Sequence, residues 1–140
     1  MKVFILFLAV FLFLPAQAAE QSYHKRIKAI EYTRLAERSN EQLLMLANHY
    51  YRTRKLERCH QQLELLLDRD AENVEGWLLM GNLWRAWGQW QQALEAYDLA
   101  VAVDPGRAEI HLRRGQALEQ LGQQDKADQA YAQYRAQSKH

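Results

Sequence analysis

One interval dominates this chain: beyond residue 40, side chains of matching size return every 34 positions. In the clearest stretch, Trp77, Met80, Gly81 and Trp84 fall at i, i+3, i+4 and i+7, which places them on one face of a helix. Gly88 interrupts that helix. A second apolar face follows, made by Ala93, Tyr97, Ala100 and Val101, and Asp104-Pro105-Gly106 closes it with a turn signal. The pattern predicts two antiparallel helices joined by a short turn. Advancing by the same interval, Gly115, Leu118, Gly122, Ala127 and Tyr131 stand where Gly81, Trp84, Gly88, Ala93 and Tyr97 stood, while His111 takes the place of Trp77. Stepping back instead gives Leu43, Leu46, Ala47 and Tyr50, with Cys59 in the small slot and Leu63 in the aromatic one. A hairpin of this kind cannot bury its apolar faces alone, so each copy must stack on the next.

Composition agrees with an all-helical chain. Leu, Ala, Gln, Glu and Arg dominate, all of them compatible with helices, and the chain has two prolines and six glycines. With 140 residues there is room for one domain. A net charge of +1 offers no electrostatic case for binding nucleic acid.

The run Trp77-x2-Met80-Gly81-x2-Trp84, followed by Gly88, Ala93, Tyr97, Ala100 and Pro105, resembles the tetratricopeptide (TPR) pattern, with Met80 and Trp84 in place of its Leu and Tyr. The resemblance implies an α-solenoid of about three helix–turn–helix repeats, covering about 40–73, 74–107 and 108–140. Physical roles follow from residue size: Gly81 and Gly115 let a facing helix approach, Ala93, Ala127 and Cys59 stay small at the crossing, and Trp77, Trp84 and Tyr97 fill the space between hairpins. Ser39-Asn40-Glu41-Gln42 reads as a capping box opening the first repeat. Ahead of it, within 19–39, Tyr23 to Arg38 reads as an extra helix with Tyr23, Ile27 and Ile30 toward the first hairpin.

The first 18 residues read as a secretory signal peptide. Met1-Lys2 precedes an unbroken apolar run from Val3 to Leu14, then Pro15 and Ala16-Gln17-Ala18. That run is shorter than the roughly 20 apolar residues a bilayer crossing takes. Cleavage after Ala18 is expected, which places the mature chain in the periplasm or outside the cell; retention as an N-terminal anchor is the competing reading. Cys59 is the one cysteine, so no internal disulfide can form and packing alone must hold the fold.

The TPR resemblance also implies a groove lined by the first helix of each repeat. Carried over by position, its lining is Leu44, Asn48, Tyr51 and Arg52, then Leu78, Leu79, Asn82 and Arg85, then Leu112, Arg113, Gln116 and Glu119. Apolar patches beside Asn and Arg suit an extended or helical peptide. Some grooves of this family grip a C-terminal carboxylate with Lys, Asn and Arg. Here Asn48 and Arg113 match, but Leu44, Leu79 and Glu109 occupy the other places, which argues against that clamp. Asn82, Arg85 and Arg113 remain a candidate set for an anionic group. Trp87, outside the buried slots of the pattern, is either a rim residue or a binding anchor.

Catalytic chemistry is not expected. The histidines form no ligand spacing with Cys59, and adjacent Cys59 and His60 point to different helix faces. No phosphate loop or nucleophile elbow occurs, and the glycines are packing glycines. No cofactor or metal is expected. The basic N-terminal helix is not strongly amphipathic, so a membrane-surface partner is not expected either. The reading is a non-enzymatic adaptor or scaffold that binds a partner polypeptide, in an envelope assembly or biogenesis system. Asn73-Val74-Glu75-Gly76-Trp77-Leu78-Leu79-Met80-Gly81 also resembles the repeat domain of cytochrome c maturation proteins, which implies presentation of apocytochrome as an alternative. Self-assembly into a structural repeat protein is a third reading.

Overall fold

The computed structural model describes the backbone of residues 2–139 and the side chains of 15–139. The chain divides after Arg38 into two compact units.

The first unit is one long helix, α1 (Lys2–Glu31), followed by a single 3-10 turn at Leu35–Glu37. The extra helix expected from Tyr23 to Arg38 is corrected at both ends. The helix passes through Pro15, which can donate no bond within it. It then stops at Glu31 rather than running to Arg38, because Arg38 folds back: its Nε donates to Ile30 O and its Nη2 to Glu31 O, both at 3.2 Å. A guanidinium on the last carbonyls satisfies acceptors that continued helix would have used, and its charge suits that end of the helix dipole. Ile27 and Ile30 are buried. No helix among the described residues is long and apolar enough to cross a membrane.

The second unit holds three helical hairpins: α2 (Asn40–Arg52) with α3 (Leu56–Arg69), α4 (Val74–Ala86) with α5 (Trp90–Val103), and α6 (Ala108–Gln120) with α7 (Gln124–Gln137). It is an all-α solenoid of TPR type. Consecutive hairpins pack through α3 on α4 and α5 on α6, and α2 also touches α4 directly.

The 34-residue interval governs the turns as well as the core. The first helices of the hairpins end with left-handed residues at Arg54, Gly88 and Gly122, with φ of 61°, 72° and 71°. At each end the following amide closes the same bond: Lys55 N to Tyr50 O, Gln89 N to Trp84 O and Gln123 N to Leu118 O, at 2.8 to 2.9 Å. That wide bond marks the Schellman cap, which needs a left-handed residue. Gly88 and Gly122 adopt it freely, whereas Arg54 carries the side-chain penalty.

Helix starts repeat too, with different chemistry at each. Ser39 forms the capping box with Gln42, and Asn73 accepts from Gly76 N at 2.9 Å. Arg107 caps nothing with its side chain; it reaches back across the repeat boundary to form a two-pronged ion pair with Glu75.

The core lies along the inter-helix seams. Gly81 faces Tyr97 so closely that an added Cβ would fall within 2.9 Å of three ring atoms; Gly115 faces Tyr131 in the same way. In the first hairpin Ala47 and Leu63 hold those two positions, both fully buried. Trp77 and Trp84 are half-buried and pack on the cluster that Leu78, Tyr97, Ala100 and Ile110 build. His111 performs the polar task of Trp77. Trp77 Nε1 donates to Ala71 O at 2.8 Å, and 34 residues on, His111 Nε2 lies 2.7 Å from Pro105 O. A carbonyl only accepts, so His111 carries its proton on Nε2.

Candidate functional site

The first helices α2, α4 and α6 carry the side chains expected to line a groove, and bonds between helices show which of them come together. Tyr51 on α2 donates its hydroxyl to Asn82 O on α4 at 3.4 Å. From the second helix of the middle hairpin, the Tyr97 hydroxyl donates to Asn82 Oδ1 at 2.8 Å. Arg85 lies one turn beyond Asn82 on α4, on the same face. On α6, Arg113 Nη1 reaches Gln116 Oε1 at 3.5 Å, and its Nη2 lies 3.7 Å from Glu109.

Tyr97 is the hinge of this arrangement. Burial pushes its phenol up to about 12, against the pull of the Arg85 and Arg113 charges, with smaller upward pushes from Tyr51 and Glu109. Asn82 is the residue bonded to that phenolic oxygen, and Tyr51 holds the backbone carbonyl of the same asparagine. Reading the sequence assigns Tyr97 to the core only. Its ring is core; its hydroxyl orients a groove residue. Tyrosine in place of phenylalanine is the one sequence signal for that second task.

Tyr51, Asn82, Arg85, Leu112, Arg113 and Gln116 are half-buried, and Leu44 is as well. Asn48 and Arg52 are exposed, and Asn48 donates to Leu44 O within its own helix at 2.9 Å. Leu78 is corrected. It is only 5% exposed and belongs to the core cluster, so it packs the fold and offers no open surface; Leu79 is 7% exposed. Trp87 is not brought to the Asn82 face by any bond or ring contact described. Its ring lies 5.2 Å from Trp84 and 5.6 Å from His60 of α3, so it belongs to an aromatic cluster at the far end of α4.

Charges around the face are mostly spent inside the protein. Arg107 is shared between Glu75 and Glu109, and the paired carboxylates raise its guanidinium above its ordinary value, the bond to Glu75 contributing most. Arg114 pairs with Asp98. Glu119 accepts the Tyr131 hydroxyl at 2.6 Å. Arg85 has no acceptor among the described residues. Arg113 Nε is buried without one.

Chemistry of a catalytic kind finds little support in these side chains. Cys59 is fully buried, and desolvation pushes its thiol up to about 12, the opposite of what a nucleophile needs. Among the described residues no group of three or more His, Cys, Asp or Glu side chains could hold a metal ion.

The family model for the TPR repeat matches residues 81–122. Among solved structures, a MamA protein superposes with a TM-score of 0.76 at 16% identity, over 84% of this chain and 64% of that one. The translocator chaperone SycD of Yersinia enterocolitica type III secretion superposes at 0.67 with 23% identity, over 70% and 74%. PcrH in complex with the chaperone-binding region of PopB gives 0.67 and 23%, over 70% and 79%. The chain spans about three fifths of the MamA structures it matches first. At these identities the likeness is one of fold. A search of curated protein sequences finds no match.

Proposed function

We propose that this chain is a non-enzymatic adaptor that holds a partner polypeptide on the face formed by α2, α4 and α6. One observation carries the reading: Tyr51, Asn82, Arg113 and Gln116 stay half-exposed and held by hydrogen bonds, with half-buried Arg85 unpaired among the described residues, although none is needed to fill the core. Polar side chains pre-set in this way lower the ordering cost of binding. The fold supports the reading, since PcrH of the same architecture is seen with a segment of PopB, and SycD with a peptide of YopD.

A photo-crosslinking amino acid at Gln116, compared with the same group at exposed Leu99 on α5, tests the reading in cells. A discrete crosslinked polypeptide from position 116 and none from position 99 is the expected result. Equal labelling at both positions would dispose of the groove.

The proposal places this adaptor in the periplasm or outside the cell, after removal of residues 1–18, in an envelope assembly or biogenesis system. The apolar run from Val3 to Leu14 with Ala16-Gln17-Ala18 supports export. N-terminal sequencing of the protein from the envelope fraction should begin at Ala19; a sequence beginning at Met1 would show the segment retained.

A further inference from the structure

Antiparallel helices put the turns that close each hairpin on one edge of the solenoid and the turns that join hairpins on the other. The two edges differ in charge. Turns between hairpins carry acids, with Asp68, Asp70, Glu72 and Glu75 around one and Asp104 at the next. The first closing turn carries Arg52, Arg54, Lys55 and Arg58, all exposed, with Glu57 the one acid among them. Over residues 39–140 acidic side chains outnumber basic ones, 14 to 12, so this cluster is a local concentration that net charge does not explain.

The cluster differs from an ordinary solvated surface. Arg54 is the left-handed residue of its turn, where glycine stands in the other two, so a cation is kept there against backbone strain. Lys55 Nζ and the Arg58 guanidinium lie 6.0 and 5.8 Å from the centre of the Tyr50 ring, at the start of α3, where the helix dipole disfavours positive charge. Among the described residues none of these four cations has an ion-pair partner, whereas Arg107, Arg113 and Arg114 all do.

The closing turn of the middle hairpin lies against this one, because His60 of α3 touches the rings of Trp84 and Trp87. Half-buried Trp84, Trp87 and Trp90 surround that turn. Trp77, at the other end of α4, donates its indole N–H to Ala71 O; the other three indoles have no acceptor among the described residues, and none of their N–H groups is sealed from solvent. An indole with its ring half sunk and its N–H free suits the headgroup level of a bilayer, where ester and phosphate oxygens accept and acyl chains begin. Unpaired cations beside it suit anionic lipid. An acidic polypeptide would meet the cations but leave the tryptophans without a counterpart.

We propose that the edge formed by the α2–α3 and α4–α5 turns docks on an anionic membrane surface, with Arg54, Lys55 and Arg58 on lipid phosphates and Trp87 and Trp90 at the headgroup level. The sequence argues against a membrane-surface partner at the basic N-terminal helix; this edge is a different surface, and only packing assembles it. The groove on α2, α4 and α6 is neither required by this docking nor blocked by it.

Fluorescence of the full-length chain with unilamellar vesicles tests the proposal. Gln89→Cys in the α4–α5 turn and Glu72→Cys at the opposite edge each take an environment-sensitive thiol fluorophore, while Cys59 is fully buried and stays unlabelled. With vesicles of phosphatidylcholine containing about one third phosphatidylglycerol, emission at 89 should shift to the blue and emission at 72 should not. Vesicles of phosphatidylcholine alone should bind at least about tenfold more weakly, and Lys55→Gln with Arg58→Gln should cost as much on the anionic vesicles, since each cation near such a surface counts severalfold. Arg135→Gln with Lys139→Gln removes the same charge at the far end of α7 and should leave the affinity within about twofold. Equal shifts at 89 and 72, equal loss from the two charge pairs, or no preference for anionic lipid overturns the proposal; the last is what insertion of the apolar run from Val3 to Leu14 alone would give. A shift at 89 with poly-glutamate and none with anionic vesicles also overturns it, and assigns the edge to an acidic polypeptide.

Discussion

The first and middle hairpins solve one packing problem in two ways. Where the helices cross in the middle hairpin, a glycine meets an aromatic ring: Gly81 lies under Tyr97, with no room for a Cβ. In the first hairpin the same two positions hold Ala47 and Leu63, both fully buried. A methyl group has been added on one side and a ring removed from the other, which keeps the volume at the crossing roughly constant, as dense cores demand. The exchange has a functional consequence. Leu63 has no hydroxyl, so the first hairpin has no counterpart of the Tyr97 bond that orients Asn82. Asn48, at the position equivalent to Asn82, turns back onto Leu44 O of its own helix. Compensation in the core thus decides which repeat presents a prepared polar face.

The strongest way to break this comparison is to mix the two solutions. Gly81→Ala alone should destabilise the fold by about 1–3 kcal/mol, because the new methyl enters the Tyr97 ring. Adding Tyr97→Leu should recover part of that loss, so that a double-mutant cycle in urea shows coupling of at least about 0.5 kcal/mol. Strict additivity would mean that the two positions do not share one volume.

Turn geometry offers the next contrast. Gly88→Ala places a side chain in the left-handed region with nothing within 4 Å of the new atom, so the cost of about 1 kcal/mol is backbone strain alone. Arg54 already carries that strain in the first hairpin. Arg54→Gly should raise thermal stability, by about 0.5 kcal/mol after the entropy cost of glycine. Opposite signs from these two substitutions are required; a loss from both would sink the account.

His111 permits a smaller test between the middle and last hairpins. His111→Phe keeps bulk but removes the bond to Pro105 O, and should cost about 1 kcal/mol or less. His111→Trp restores the donor found at Trp77 and should cost less than His111→Phe. Thermal melts of the two variants decide the order.

Cys59 gives an effect absent at neutral pH. The thiol ionises near 9.0 when free, while burial in the fold pushes it up to about 12. Between those values the unfolded chain has lost the proton and the native chain keeps it, so stability falls as pH rises through that window and is intact below it. Tyr97, raised from 10.0 to about 12 by burial, adds to the same slope. Replacing Cys59 with the alanine that stands at 93 and 127 should flatten the fall, measured by urea unfolding at pH 8 and at pH 10.5. An unchanged slope would show that the thiol does not contribute.

Much of the architecture was legible because large and small residues alternate at a fixed interval, and helix periodicity turns that interval into faces. Ser39 and Gln42 announced the capping box, and Gly88 and Gly122 the turns, because those conformations select residue types strongly. Arg54 hid the third turn, since an arginine carries no signal for a left-handed cap. Leu78 misled for a related reason: on the pattern it lies off the Trp and Gly face, yet it belongs to the buried cluster that also holds Tyr97, Ala100 and Ile110 of the neighbouring helices. The candidate site was legible in its arginines and amides, but not in its organisation. Tyr97 looked like core because its ring is core.

What residue order alone determined is therefore the local and periodic part: helices, their caps, the repeat length and the small-against-large pairing at each crossing. These follow from preferences that act within a few residues or recur at one spacing. Only the packed structure decided which polar atoms are spent and which remain open. Hydrogen-bond partners 15 or 31 residues apart, such as Tyr97 and Tyr51 with Asn82, are chosen by how the helices lie against one another. No spacing rule along the chain encodes that choice, because a donor is free or occupied only once every neighbour has been placed.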